Sequence, residues 1–335
     1  MINNYSENSS FEYRNFGIDL ARTLAISLVI LVHTTGIGFG RFGVQLFFVI
    51  SGYLLGDYYL KQSKLQFIVH RAFRLFPLAI IFIFLFYLGN ISNSLELILN
   101  LFLIQNLFWG SYSFPGGWSI SSEWIFSIFL TLFVPKHKNK LPFVLLMCFI
   151  LQITSGAYIY LHGGVSSSDL ASDYVFKTWL NTTNPFINLG FFVSGLMLLN
   201  NKDKLKKINN YLLLVLPLCM ILEDKFIGHF MFGWQIAIPA IFILCLKTQT
   251  RFHIFLKVIS YLGKRTYGIF FVHFLIWNNL NVFLNDQQYR FLTQNLSGKF
   301  IQFFFVYFLA IIGGSITYKL IEKPFLKISK KLKMS

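Results

Sequence analysis

Charge is scarce in this chain. Only 13% of its 335 residues are Asp, Glu, Lys or Arg, against 55% hydrophobic residues and a mean hydropathy of +0.60. That balance excludes an ordinary soluble domain of this length and points to a polytopic membrane protein. Cysteine is almost as scarce. Cys148, Cys219 and Cys245 are widely spaced within apolar runs, without the spacing of a metal site or a disulfide framework, and read as packing residues. His70, His137, His162, His229 and His253 lie at or near loops, and no two of them have metal-ligand spacing on a helix, so no metal site is expected. The polar N-terminus, MINNYSENSSFEYRNFG, lacks the basic and short apolar regions of a signal peptide, and the first apolar helix is expected to remain in the mature protein. No internal repeat and no second, soluble domain is evident.

Acidic residues are few as well, 13 against 29 Lys and Arg. Such an excess could suit nucleic acid, but the basic residues sit in short gaps between apolar runs. Those runs fall near 17–39, 42–60, 75–91, 95–109, 118–134, 141–161, 184–200, 210–223, 232–246, 265–284 and 299–320. The richest gaps hold Lys61, Lys64, Arg71 and Arg74; Lys136, Lys138 and Lys140; Lys202, Lys204, Lys206 and Lys207; and Lys247, Arg251, Lys257, Lys264 and Arg265. All four should be cytoplasmic.

A chain that leaves one side and returns to it crosses an even number of times, so one of the three runs between the first two gaps does not span. Leu95 to Phe108 is the weakest, short and interrupted by Glu96, Asn100, Gln105 and Asn106, and is assigned as a re-entrant or interfacial segment on the outer side. About ten transmembrane helices remain, in an all-α polytopic bundle with both termini cytoplasmic. This places 24 basic residues inside and only Arg41, Lys177, Lys225, Arg290 and Lys299 outside. The divisions are a cytoplasmic tail (1–16), a transmembrane domain (17–325) and a basic cytoplasmic tail (326–335).

Within those apolar runs stand a few ionisable residues. The first run carries Asp19, Arg22 and His33. Arg22 and His33 are eleven residues apart, which leaves them about 20° apart around a helix and roughly 16 Å along it, on one face. A charge near the bilayer centre costs on the order of 3 kcal/mol even on the lenient scale, so such residues usually face a protein-lined cavity and serve function. In HRAFRLFP, Arg71 and Arg74 are one turn apart at the inner surface, where two guanidiniums could fork onto phosphates or simply anchor the helix to anionic lipid headgroups. In GGWSISSEWIF, Ser119 and Glu123 share a face a turn or two into the membrane. Taken alone, Glu123 or His33 could equally make a structural hydrogen bond; together these residues have the components for a general base, its orienting partner and a phosphate clamp. FFVISGY places Ser51 and Gly52 where small residues allow close helix approach. Tyr267 and His273 read first as core packing, with the lining of one shared cavity as the alternative, and Glu322 with Lys323 and Pro324 as a helix stop.

The order of motifs, DLARTLA with His33 beyond it, then GVQLFFVISGYL, RAFRLFP, WSISSEWIF, RTYGIFFVH and IEKP, resembles the acyltransferase 3 family of integral membrane acyltransferases from about Gly17 to Phe325. The resemblance implies a ten-helix bundle in a bacterial cytoplasmic membrane. It implies transfer of an acyl group, commonly acetyl, from cytoplasmic acyl-CoA to a hydroxyl of an extracytoplasmic glycan or related acceptor, with no permanently bound cofactor. Arg22 and His33 fall in the family's Arg-to-His signature, Arg71 and Arg74 in its RxxR motif and Glu123 in its tryptophan-to-glutamate motif. Thr266 stands where the family often shows Ser, and Trp124 to Phe126 differ from the usual residues after the glutamate. Some members carry an appended hydrolase-like domain; this chain ends about ten residues after its last motif, so it is expected to act alone or with a separate partner.

The expected mechanism has Arg71 and Arg74 on the CoA phosphates. His33 is general base or transient acyl carrier, Asp19 and Arg22 form an ion pair below it, and Glu123 orients the imidazole. The alternative is a transporter or flippase of a glycan or lipid intermediate, for which inverted repeats and broken helices would speak. Of the outer loops, only Leu161 to Thr183, with Asp169 and Asp173, is long enough to contribute much to acceptor recognition.

Overall fold

The computed structural model describes residues 4–37, 42–90, 94–108, 115–132, 140–162, 176–226, 232–250, 252–284 and 286–332. Arg41, Lys136, His137, Lys138, Asp169, Asp173, His229, Arg251 and Lys333 lie outside the described residues, as do the side chains of Arg14, Cys219 and Lys225. All regular structure among the described residues is helical. The helices are α1 (Asn4–Thr35), α2 (Phe42–Leu60), α3 (Lys64–Asn90), α4 (Ser94–Leu101), α5 (Gly117–Leu132), α6 (Leu141–Leu161), α7 (Pro185–Asn200), α8 (Asn210–Phe226), α9 (Phe232–Lys247), α10 (His253–Gly263), α11 (Thr266–Asn278), α12 (Asp286–Gln294), α13 (Leu296–Thr317) and α14 (Lys323–Lys331).

Four stretches among the described residues are long and apolar enough to cross a membrane: Phe16–Thr35, Lys64–Phe86, Leu141–Leu161 and Leu296–Lys331. Shorter apolar helices cover Pro185–Asn200, Gly233–Lys247 and His253–Gly263. The protein is therefore a helical membrane protein. The segment read as non-spanning is broken in two. Its helix α4 has eight residues, about 12 Å of rise and far short of a bilayer. Leu103 then turns with a φ of 54° into a 3-10 turn at Gln105–Leu107. The gap between Lys247 and Arg265 holds a further helix, α10, with Ile259 and Gly263 buried.

Two compact units divide the chain: Met1–Phe47 with Phe242–Leu320, and Phe48–Ile241 with Ile321–Ser335. In the first, α11 is the central helix. Every residue from Thr266 to Phe274 is buried, as a helix apolar on all sides requires. It packs on α13 and α1, and α1 also packs on α10 and α13. The α11 and α13 backbones approach at Gly314, where a Cβ would come within 2.7 Å of the Ile269 nitrogen. Polar residues 4–16, expected as a tail, continue α1 as helix.

In the second unit α7 holds the centre, buried from Ile187 to Leu196. It starts at Pro185, after the Asn184 cap, whose side chain accepts from the Phe186 amide at 2.8 Å. Gly52 of α2 lies on the Phe192 carbonyl, and Gly195 of α7 on the Val49 carbonyl, so the two backbones touch through reciprocal glycines. The chain does not stop at Glu322 and Pro324. A π turn over Tyr318–Glu322, with Glu322 itself helical, carries it into α14, and Pro324 stands in the first turn after this change of hydrogen-bond register. Phe325 of α14 meets Phe73 of α3 with ring centroids 6.3 Å apart.

Candidate functional site

Each unit assembles its own polar cluster. In the first, α1 supplies Asp19, Arg22 and His33. Arg22 Nη1 lies 3.7 Å from Asp19 Oδ1, with side-chain exposures of 21% and 6%. The pair is an i,i+3 neighbour on one helix, and the expected Asp19–Arg22 contact is present. From α10, Ser260 faces the Asp19 carboxylate, Lys264 adds a positive charge nearby, and a Cβ on Gly263 would come within 2.8 Å of the Asp19 Cα. Glycine there lets α10 lie directly on the carboxylate.

At the far end of the same helix His33 is half-buried and makes no hydrogen bond among the described residues. Three rings of α11 surround it: His273, Phe274 and Trp277, with centroids at 5.6, 4.7 and 5.3 Å. These positions, one and four residues apart, form one face of the helix. The imidazole thus stands in an aromatic cage with a second imidazole in its wall. His273, expected as core packing or as a cavity lining, is fully buried and stands beside His33.

In the second unit, α3 brings Arg71 and α5 brings Glu123 together. Arg71 Nη2 donates to Glu123 Oε1 at 2.6 Å, and the Ser51 hydroxyl of α2 donates to the same oxygen at 2.8 Å. Arg71 Nε donates to Ser127 Oγ at 3.2 Å, while Ser127 donates to the Glu123 carbonyl one turn back at 2.8 Å. Arg71 is 6% exposed, so its guanidinium is anchored inside the helices and is not a free headgroup anchor at the surface. Arg74, one turn on, is half-buried. The Glu123 carboxylate contacts Arg71 and Ser51. Ser119, on the same face as Glu123, donates to the Gly116 carbonyl at 2.8 Å. Ser51 and Ser127 complete the cluster and carried no sequence signal beyond small size.

The turn at Gln105–Leu107 is pinned to α5 and to the start of α7. Asn106 Nδ2 donates to Ser122 Oγ at 2.6 Å and to the Thr183 carbonyl at 2.7 Å, and Gln105 Nε2 donates to the Gly117 carbonyl at 3.1 Å. Gln105, Asn106, Ser121 and Ser122 are fully buried. Irregular backbone at membrane depth is tolerated only where protein satisfies it; here the Asn106 backbone amide donates to Ser121 Oγ at 3.2 Å and the Trp179 indole donates to the Asn106 carbonyl at 3.0 Å.

No group of three or more His, Cys, Asp or Glu side chains among the described residues could hold a metal ion. Chemically, the first cluster offers a ring nitrogen in an apolar cage, suited to proton transfer. The second offers a neutralised, rigidly held arginine, suited to orienting an anion.

No solved structure matches the chain. A protein of Komagataeibacter xylinus named "Putative membrane-bound transacylase BcsY" is 43% identical over 75 residues, which make up 21% of this chain and 19% of that protein. The matched stretch thus spans about a fifth of the relative's length. The family described as an acyltransferase domain, Acyl_transf_3, matches residues 15–319, a stretch that includes Asp19, Arg22, His33, Arg71, Arg74, Glu123 and His273. With that match the chain belongs to the acyltransferase 3 family of membrane acyltransferases.

Proposed function

We propose that the protein is an O-acetyltransferase of about ten transmembrane helices in a bacterial cytoplasmic membrane, taking its acyl group from acyl-CoA and passing it to a hydroxyl of a cell-surface glycan. The observation that carries this reading is the half-buried imidazole of His33, caged by rings and without a hydrogen bond among the described residues. An imidazole so placed is available to take a proton at one ring nitrogen. The acceptor oxygen bonds to the thioester carbonyl carbon as its proton passes to His33. The tetrahedral intermediate then collapses, the C–S bond breaks, and the proton goes on to the CoA sulfur. The thioester is already activated, so proximity, a proton acceptor and charge stabilisation suffice.

Arg74 and Arg71 hold the CoA phosphates, with the Arg71 guanidinium oriented by Glu123 and Ser127. Asp19 and Arg22 support α1 from the His33 side of the helix as a mutually compensating pair.

The test is acetyl-CoA binding and consumption by membranes of cells that produce the protein, which contain its acceptor. Wild type is compared with His33→Ala and Arg71→Ala. Consumption is expected to be lost in both variants, with acetyl-CoA binding weakened in Arg71→Ala alone. A folded wild type that binds no acyl-CoA, or a His33→Ala variant that acylates at the normal rate, overturns the proposal.

A further inference from the structure

His273 is fully buried on α11, and neither ring nitrogen makes a well-formed hydrogen bond among the described residues. Its nearest polar company within its own helix is the pair of carbonyls of Ile269 and Phe270, one turn back. Leaving a buried polar group unsatisfied costs about 1–3 kcal/mol, so such groups in a native fold ask for an explanation. A Phe or Leu would fill the same space among Phe270, Phe274 and His33 at no such cost. The ring centroids of His33 and His273 are 5.6 Å apart. That separation lets facing ring nitrogens approach to about 3.3 Å, the outer edge of hydrogen-bond range, and catalytic hydrogen bonds are commonly loose before substrate binds.

From these observations we infer that His273 is a positioning residue that accepts a hydrogen bond from His33 and fixes which nitrogen of His33 faces the acceptor hydroxyl. A backbone carbonyl of Ile269 or Phe270 holds the proton on one nitrogen of His273. The other nitrogen is then the acceptor for the N–H of His33, which leaves the remaining His33 nitrogen unprotonated and directed at the reacting hydroxyl. The tautomer of an imidazole is set in this way by the bond its second nitrogen makes. His273 touches neither donor nor acceptor. The inference rests on the reading of His33 as general base.

Three variants separate nitrogen from packing: His273→Phe keeps an aromatic ring and removes both nitrogens, His273→Asn restores a hydrogen-bond acceptor, and His33→Ala removes the base. The assay is acetyl-CoA consumption in producing membranes, with fluorescence-detected gel filtration to confirm folding. His273→Phe is expected to lower kcat at least about tenfold while KM for acetyl-CoA stays within about twofold, as for loss of an interaction made in the transition state. His273→Asn should recover part of that loss, and His273→Phe should add nothing in a His33→Ala background. If His273→Phe retains wild-type kcat while His33→Ala has lost it, the inference fails and the reading of His33 stands. Equal losses in His273→Phe and His273→Asn also overturn it, as a packing role. If His33→Ala is itself active, the reading beneath it fails.

Discussion

Replacing Glu123 by Leu leaves the Arg71 guanidinium buried with its main counter-charge gone. In the intact protein the two side chains are 7% and 19% exposed and 2.6 Å apart. Breaking such a pair from one side costs about 3–5 kcal/mol, whereas replacing both partners with apolar residues of similar volume is often neutral. Glu123 retains some exposure, and Ser127 still accepts from Arg71 Nε, so the lower end, about 3 kcal/mol, applies. At about 2.1 cal/mol/K per residue the unfolding entropy of a chain of 335 residues is about 0.7 kcal/mol/K, so Tm should fall by about 4 °C. The assay is the midpoint of heat-induced loss of the folded gel-filtration peak in detergent, for Glu123→Leu, Arg71→Met and the double variant. Both singles are expected to melt several degrees low, and the double to recover most of the loss in Tm but none of the acyltransfer. Singles that melt with the wild type, or a double that falls by the sum of the two, would refute the reading of this pair as a buried, mutually dependent anchor.

Two further outcomes follow from the packing. Gly52→Ala places a methyl on the Phe192 carbonyl and Gly195→Ala one on the Val49 carbonyl; either should force α2 and α7 apart and abolish most of the folded gel-filtration peak, while Gly36→Ala, where no atom lies within 4 Å but φ is +74°, should cost only about 1 kcal/mol. Asn106→Leu deletes the bonds to Ser122 and to the Thr183 carbonyl and should loosen the turn at Gln105–Leu107, read as faster protease cleavage near residues 101–108 with α1 to α3 intact.

The sequence exposed those residues whose cost in lipid makes them conspicuous. Asp19, Arg22, His33, Arg71 and Glu123 stand out because an ionisable group in an apolar run is rare. The broken segment was legible for a related reason, since Gln105 and Asn106 are too polar for an uninterrupted span and here end as fully buried donors. What could not be read was who partners whom. Ser51 and Ser127 are ordinary small residues until α2, α3 and α5 are brought together around Glu123. His273 lies 240 residues beyond His33, and only the packing of α11 on α1 makes them neighbours. Helix length also deceived. Glu322 and Pro324 look like a stop because Pro cannot continue a regular helix, yet a π turn just before Pro324 lets the helix resume.

The two clusters treat their polar groups differently, and the difference bears on what each can do. Charges within apolar helices persist when paired, since an isolated one pays the full cost of leaving water. Asp19 is held by Arg22, and Glu123 by Arg71 and Ser51, so these four charged groups are largely occupied with one another. A group held by several partners in the resting protein is fixed in direction, which suits it to holding helices, to orienting neighbours and, for Arg71 in the proposed reading, to meeting a phosphate without rearrangement. The imidazoles are the opposite case. His33 makes no hydrogen bond among the described residues, and neither nitrogen of the buried His273 makes a well-formed one there. Neutral rings can bear that incompleteness at a cost of about 1–3 kcal/mol per polar group, far below the cost of an unpaired charge. Interactions left unmade in the resting state are those that can be made in the transition state, and only such interactions accelerate a reaction. That contrast supports the proposed assignment of proton transfer to His33 and of an orienting part to Glu123, although both were equally conspicuous in the sequence.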